Sequence, residues 1–312
     1  MHTFLFGLIG STFNGLLLGS LYGIMGVGLA LLYRVTKIPN FAYAEYVTYG
    51  GYAAFFFAGL VGGALGVVIG ILGAMLFSAV ISLITDELGF KPLWKRGASS
   101  LHLLVASIGI GFILRYGLLG STVLIFGPKY LSVSTPQRNI PFISIGNIAT
   151  FGTAHAIAIG AGVAFSIALW YMFTRTKIGK AMRATASNPQ LARISGINIF
   201  SIRRMTWLLS GSLAGFSGFI YAYYNFVNPE SGWLMLLWIF AAATLGGFTF
   251  FGTIIGGLIL GLAAQYYGFL VQYIFGTGSQ YSPAVGLAAM FIVLMFKPEG
   301  VIRIEALAVR KV

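Results

Sequence analysis

The sequence has no cysteine, only six acidic residues and three histidines, and only 8% of its residues carry charge. The lack of cysteine excludes disulfides and thiol chemistry and leaves the redox compartment open. The few acids and histidines are scattered, so no cluster with metal-ligand spacing forms. Charge this sparse also excludes a water-soluble domain. With 58% of the residues hydrophobic and a mean hydropathy of +0.91, polar groups could not cover the surface. Alternating polarity is lacking too, which argues against a membrane barrel. The apolar runs are long and unbroken, and only helices satisfy every backbone group inside such a run. The fold class expected is all-α: a polytopic transmembrane helical bundle.

Apolar runs place spans near residues 4–33, 41–60, 64–85, 101–126, 151–173, 207–227, 234–250, 252–275 and 283–296. Nine spans is the count, within a range of eight to ten. The first run is too long for a cleaved signal peptide and lacks its basic start, so it reads as a retained helix. Many of the 43 glycines lie inside these runs, such as Gly19, Gly23, Gly26 and Gly28, or Gly252, Gly256, Gly257 and Gly261. Small residues let helix backbones approach closely in lipid. The functional alternative for any one of them is a kink beside a pathway.

A net charge of +13 suggests nucleic acid only in a soluble protein; here it is read against the membrane, and no nucleic-acid partner is expected. Nine alternating spans put Arg34, Lys37, Lys91, Lys95, Arg96, Lys297, Arg303, Arg310, Lys311 and the seven cations from Arg175 to Arg204 on one side. That side is cytoplasmic by the positive-inside rule, with the N-terminus outside. The other side receives Lys129 and Arg138, and Arg115 lies within a span. This layout permits spans one to four and six to nine to be inverted copies around span five. Ser20, Gly23 and Gly26 in span one match Ser212, Gly215 and Gly218 in span six.

Between spans five and six, residues 174–206 form a basic cytoplasmic segment. Alanines and Met182 favour helix, Asn188–Pro189 signals the cap and first turn of a second short helix, and Gly196 suits its stop. Ser201 is the expected cap of the helix leading into span six. The segment either rests on anionic headgroups or docks a cytoplasmic partner.

Three stretches carry a family resemblance: IPNFAYAEYVTYGGY at residues 38–52, TKIGKAMRATASNPQLARISGIN at 176–198, and LGGFTFFGTIIGGLILG with FKPEGVI at 245–261 and 296–302. Together, over nearly the whole chain, they resemble the permease subunits of branched-chain amino acid ABC importers, the leucine/isoleucine/valine type. The resemblance implies a single permease domain, residues 1–312. Its implied partners are a second permease subunit, two cytoplasmic ABC ATPases, an external solute-binding protein and membrane lipid, in a plasma or bacterial inner membrane. ATP and Mg would sit on the ATPases. No cofactor is expected on this chain, which has no G-x-x-x-x-G-K-[ST] loop and is read as a transport subunit, not an enzyme. The coupling residues implied are Gly179, Arg183, Asn188, Pro189, Ala192, Arg193 and Gly196. Urea or short amides are the substrate alternative. Where the family often has His-Gly before the first motif's glutamate, this chain has Tyr43 and Ala44 before Glu45.

For the pathway or gate, the candidates are Asn40, Glu45, Gly50, Gly51, Gly246 and Gly247. Glu45 is the only acid within a predicted span, either functional or facing interfacial water. Arg115, fourteen residues beyond Leu101 and so about 21 Å along a helix, is expected to snorkel to the outer interface and not to pair with Glu45. His102 and His155 lie near span ends, and Trp94, Trp207, Trp233 and the tyrosines around 221–224 fit aromatic belts. The alternative function is an ion- or proton-coupled secondary transporter, for which Glu45 is the support.

Overall fold

The structure, a computed structural model, describes residues 2–136, 140–145, 149–276, 282–297 and 300. Arg138, Arg303, Arg310 and Lys311, and Pro298, Glu299, Val301 and Ile302 of the last motif, lie outside the described residues. All nine apolar runs are helical. In chain order the helices are α1 (His2–Thr36), α2 (Tyr43–Leu60), α3 (Gly63–Thr85), α4 (Lys91–Lys95), α5 (Ser100–Ser121), α6 (Thr153–Arg175), α7 (Lys177–Ser187), α8 (Pro189–Ile194), α9 (Ile199–Tyr224), α10 (Ser231–Leu245), α11 (Phe250–Phe275) and α12 (Ser282–Phe296). Wider π-type turns at Asp86–Phe90 and Thr122–Phe126 carry α3 into α4 and extend α5. A short antiparallel hairpin, β1 (Pro141–Ile145) and β2 (Ala149–Gly152), precedes α6.

Among the described residues, five helices are long and apolar enough to cross a bilayer by themselves: Phe4–Thr36, Gly63–Lys95, Ser100–Phe126, Thr153–Arg175 and Phe250–Phe275. Helices α2 and α9 are more polar but largely enclosed by protein, and their backbone carbonyls accept from hydroxyls of α3. Ser78 of α3 donates to the Tyr46 carbonyl at 2.8 Å, and Ser82 to the Trp207 carbonyl at 3.0 Å.

The chain divides into two compact units, residues 28–137 with 167–236, and residues 1–27 with 138–166 and 237–312. In the first, α2, α3 and α9 meet at near-backbone distance. A methyl group added to Gly50 would lie 2.5 Å from the Gly215 Cα, and one on Gly218 would strike the Val47 carbonyl. Residues 28–36 of α1 join this unit, where Ser210 Oγ donates to the Gly28 carbonyl at 2.7 Å and the Tyr43 hydroxyl fills the space a methyl on Gly28 would need.

In the other unit the N-terminal part of α1 meets α11 in the same manner. A methyl on Gly257 or Gly261 would run into the backbone of Gly23 or Gly19, and Gly26 faces Thr253 and Ala242. The two sets of pairings correspond. Span one meets spans seven and eight, and span six meets spans two and three. Here the glycines serve close approach, which in lipid replaces the hydrophobic drive for helix association.

Candidate functional site

In the connection from α1 to α2, Ile38, Asn40 and Ala42 are inaccessible, as is Tyr43 at the start of α2. The connection meets α5 well inside that helix. The Phe41 amide donates to Ser107 Oγ at 3.0 Å, and that oxygen, which donates to the Leu104 carbonyl at 2.6 Å, also lies 3.3 Å from the Pro39 carbonyl. Since Ser107 is seven residues past the start of α5, α2 begins roughly 10 Å deeper than α5. Reading both spans from a common surface therefore misplaces their side chains by about two turns.

That offset corrects the expectation for Arg115. It does not snorkel outward but pairs with Glu45, Nε and Nη2 both donating to Oε1 at 3.1 and 2.5 Å. Both side chains are buried, at 8% and 2% exposure. The guanidinium also lies 4.6 Å from the Trp233 ring centroid, a cation–π contact strengthened by desolvation. Glu45 Oε2 has no partner among the described residues.

Sequence reasoning missed a second buried pair. Asp86, placed just beyond span three, lies in the continuing helix and is inaccessible. Arg203 of α9 holds it bidentately: Nε donates to Oδ1 and Oδ2 at 3.0 and 2.9 Å, and Nη2 to Oδ1 at 2.5 Å. Outside it, Glu87 takes hydrogen bonds from Arg204 and Lys91. The apolar run ends at Thr85, so nothing in the hydropathy marked Asp86 as interior.

Between these pairs lies polar chemistry with no outlet. Asn40 Nδ2 and Oδ1, the Tyr46 hydroxyl and Trp207 Nε1 are buried without a hydrogen bond among the described residues. Asn40 and Thr85 flank the Tyr46 hydroxyl without bonding geometry. Trp207 is fully buried, 6.4 Å from the Tyr46 ring and stacked 5.2 Å from Phe90, which corrects its assignment to an aromatic belt. Each unmet buried polar group costs about 1–3 kcal/mol. His155 is buried as well, within reach of Asn14 at 3.1 Å and accepting from the Gly152 amide at 3.2 Å.

The predicted glycines are tight-packing positions. Gly50 faces Gly215, and Gly51 faces Val227 and the Gly218 carbonyl. Gly246 and Gly247 belong to the other unit, where they break the chain between α10 and α11. Gly247 and Phe248 have φ of 58° and 53°, and Thr249 Oγ1 donates to the Gly246 carbonyl at 2.6 Å.

The basic segment forms the two short helices expected, α7 and α8. Thr176 caps α7 by accepting from the Gly179 amide at 3.1 Å, and Asn188 caps α8 by accepting from the Leu191 amide at 3.0 Å. Gly196, at φ 83°, ends α8. The cap of α9 is Asn198, not Ser201, whose amide is one of the two donors to it. Gly179 lies against the backbone of Met172 and Phe173, and Met182 is buried with Leu31 and Ile202. This seats the element against the ends of α1, α6 and α9. Arg183, Asn188, Pro189, Arg193 and Gly196 are exposed. Ala192 is 3% exposed and faces inward, whereas Leu191 and Ile194 are 61% and 83% exposed. These two apolar side chains, three residues apart on α8, are the outward contacts that sequence reading passed over.

Residues 11–296 match the family described as branched-chain amino acid transport system / permease component. The chain is 31% identical over 296 residues to the probable branched-chain amino acid transport permease protein LivH of Methanocaldococcus jannaschii, covering 94% of this chain and 91% of that protein. Against the high-affinity permease proteins LivH of Escherichia coli and BraD of Pseudomonas aeruginosa identity is 26%, covering 93% of this chain and 94% of each.

Proposed function

Because the chain belongs to the family of branched-chain amino acid permease components, we propose that it works as one of two membrane subunits of an ATP-driven importer whose cargo is a branched-chain amino acid. Its partners in this reading are a second permease subunit, two cytoplasmic ATPases and an external solute-binding protein. The chain itself is a transport subunit, and hydrolysis belongs to the ATPases. Movement of the ATPases would reach the spans through α7 and α8 and switch the side to which the pathway opens.

The observation that carries this reading is the build of α7–α8. Two short helices, each with a side-chain cap, are braced on three long helices, and they present Leu191 and Ile194 outward beside Arg183 and Arg193. Resting on headgroups would not require so fixed a shape. Glu45 gives little support to a proton- or ion-coupled carrier, since Arg115 already neutralises it. Asn40, Tyr46 and Trp207 hold unmet polar groups between α2 and α9 and suit a gate whose partners change between states.

The test is co-isolation in mild detergent with the double variant Leu191→Glu/Ile194→Glu. Normal membrane insertion with loss of the co-isolated ATPase is expected. Full ATPase association and coupled leucine uptake in that variant would refute the docking role. Uptake of urea but not leucine by the parent complex would overturn the cargo.

A further inference from the structure

A cavity of about 330 Å³ opens where the end of α1, the start of α5, the α7–α8 pair and the start of α9 converge, within the range of small-ligand pockets, roughly 300–1,000 Å³. Its walls include Thr36, Lys37, Ser99, Ser100, Thr185 and Arg203, and no carboxylate.

Asp86 satisfies Arg203, and Glu87 is engaged by Lys91 and Arg204. Lys37 has no carboxylate partner among the described residues, so the wall keeps an uncompensated positive charge. Its backbone sits at φ 57° and its amide donates to the Tyr33 carbonyl at 2.8 Å, closing the end of α1 at the cavity, in a conformation that glycine or asparagine adopts at lower strain. The 22-residue helix α5 begins on the same wall with no side chain capping it, because the Ser99 hydroxyl is engaged with His102 at 2.7 Å. Its first-turn amides and positive dipole end therefore favour an anion. Independently, the Thr185 hydroxyl is buried without a partner among the described residues, on a residue of α7 that borders the cavity and is only 3% exposed.

We propose that this cavity binds a phosphate-bearing anion, either the headgroup of an anionic phospholipid or free inorganic phosphate, and that its occupancy ties α7 to the ends of α1 and α5. The ligand would lie between Lys37, the Ser100 end of α5 and Thr185. Because α7 braces α8, which carries the proposed ATPase contact, occupancy would set how firmly that contact is held. The binding site itself stands without that reading.

The absence of cysteine allows a direct test on the full chain in neutral detergent. Ser100→Cys places one thiol on the cavity wall. A negatively charged thiol reagent should modify it about tenfold faster than a positively charged one, as expected for a site that concentrates anions. Inorganic phosphate should slow that modification if the free ion is the ligand. If the ligand is a headgroup, protection should appear in phosphatidylglycerol nanodiscs and not in phosphatidylcholine nanodiscs. Lys37→Asn, which keeps a residue suited to the left-handed backbone, should remove both the reagent preference and the protection. Native mass spectrometry of the unmodified chain should show a phosphate or phosphatidylglycerol adduct that Lys37→Asn loses. Equal rates for the two reagents, protection unchanged by Lys37→Asn, or protection by the ATPase alone would each overturn the proposal, the last by making the cavity a protein contact.

Discussion

A buried ion pair within the membrane is weak evidence for stability, since desolvation offsets much of the attraction, but breaking one is severe. Arg115→Ala should therefore leave the Glu45 charge stranded and lower stability by about 3–5 kcal/mol, read as thermal unfolding in detergent. The double variant Glu45→Met/Arg115→Met should recover the parent's stability to within about 1 kcal/mol or exceed it. If it also transports like the parent, the pair is architectural and has no part in gating. Asn40 makes the opposite case. Asn40→Leu removes two unmet polar atoms and keeps the branched shape and heavy-atom count, so stability should hold or rise while uptake falls. Unchanged uptake would remove Asn40 from the gate.

Among the elements, α7–α8 were the most readable. Asn188–Pro189 and Gly196 are chemical punctuation whose effect is local, so the cap, first turn and stop lie where the residues place them. The depth of α2 was not readable in the same way. A hydropathy run gives a helix's extent but not its register against a neighbour, and register is what brings Glu45 to Arg115. Asp86 was hidden for a related reason: the helix continues through a π-type turn past the end of its apolar run. Trp207 misled because the same residue type serves at interfaces and in interiors, and only its neighbours, Tyr46 and Phe90, distinguish them. For the coupling element, Met182→Ala should loosen α7 from Leu31 and Ile202 at about 2–5 kcal/mol locally. The ATPase should still co-isolate while hydrolysis loses its dependence on loaded binding protein. Full retention of that dependence would mean that force does not travel through α7.

For the whole molecule, the sidedness argued from cation placement is open to a direct check. Ser187→Cys at the end of α7 and Ser132→Cys in the connection after α5 are exposed single thiols in a chain that has none. In intact cells an impermeant reagent should label the second and spare the first. The reverse would invert the topology and place the basic segment outside. Composition was sufficient to give the fold class, and the resemblance in three separated motifs was sufficient to give the family. The pairing of each unit's helices was only hinted at by Ser-x-x-Gly-x-x-Gly in spans one and six, because glycine spacing shows that a helix is approached closely without showing by which neighbour.

The meeting of Gly28, Tyr43 and Ser210 has a consequence for how this protein can change. The Tyr43 hydroxyl occupies the volume a methyl at residue 28 would need, while both groups are tied to Ser210. The two positions must therefore exchange bulk. Gly28→Ala alone should be harmful, Tyr43→Phe alone mild, and the combination better than Gly28→Ala by itself, so that the order in which the substitutions arise decides which lineages survive.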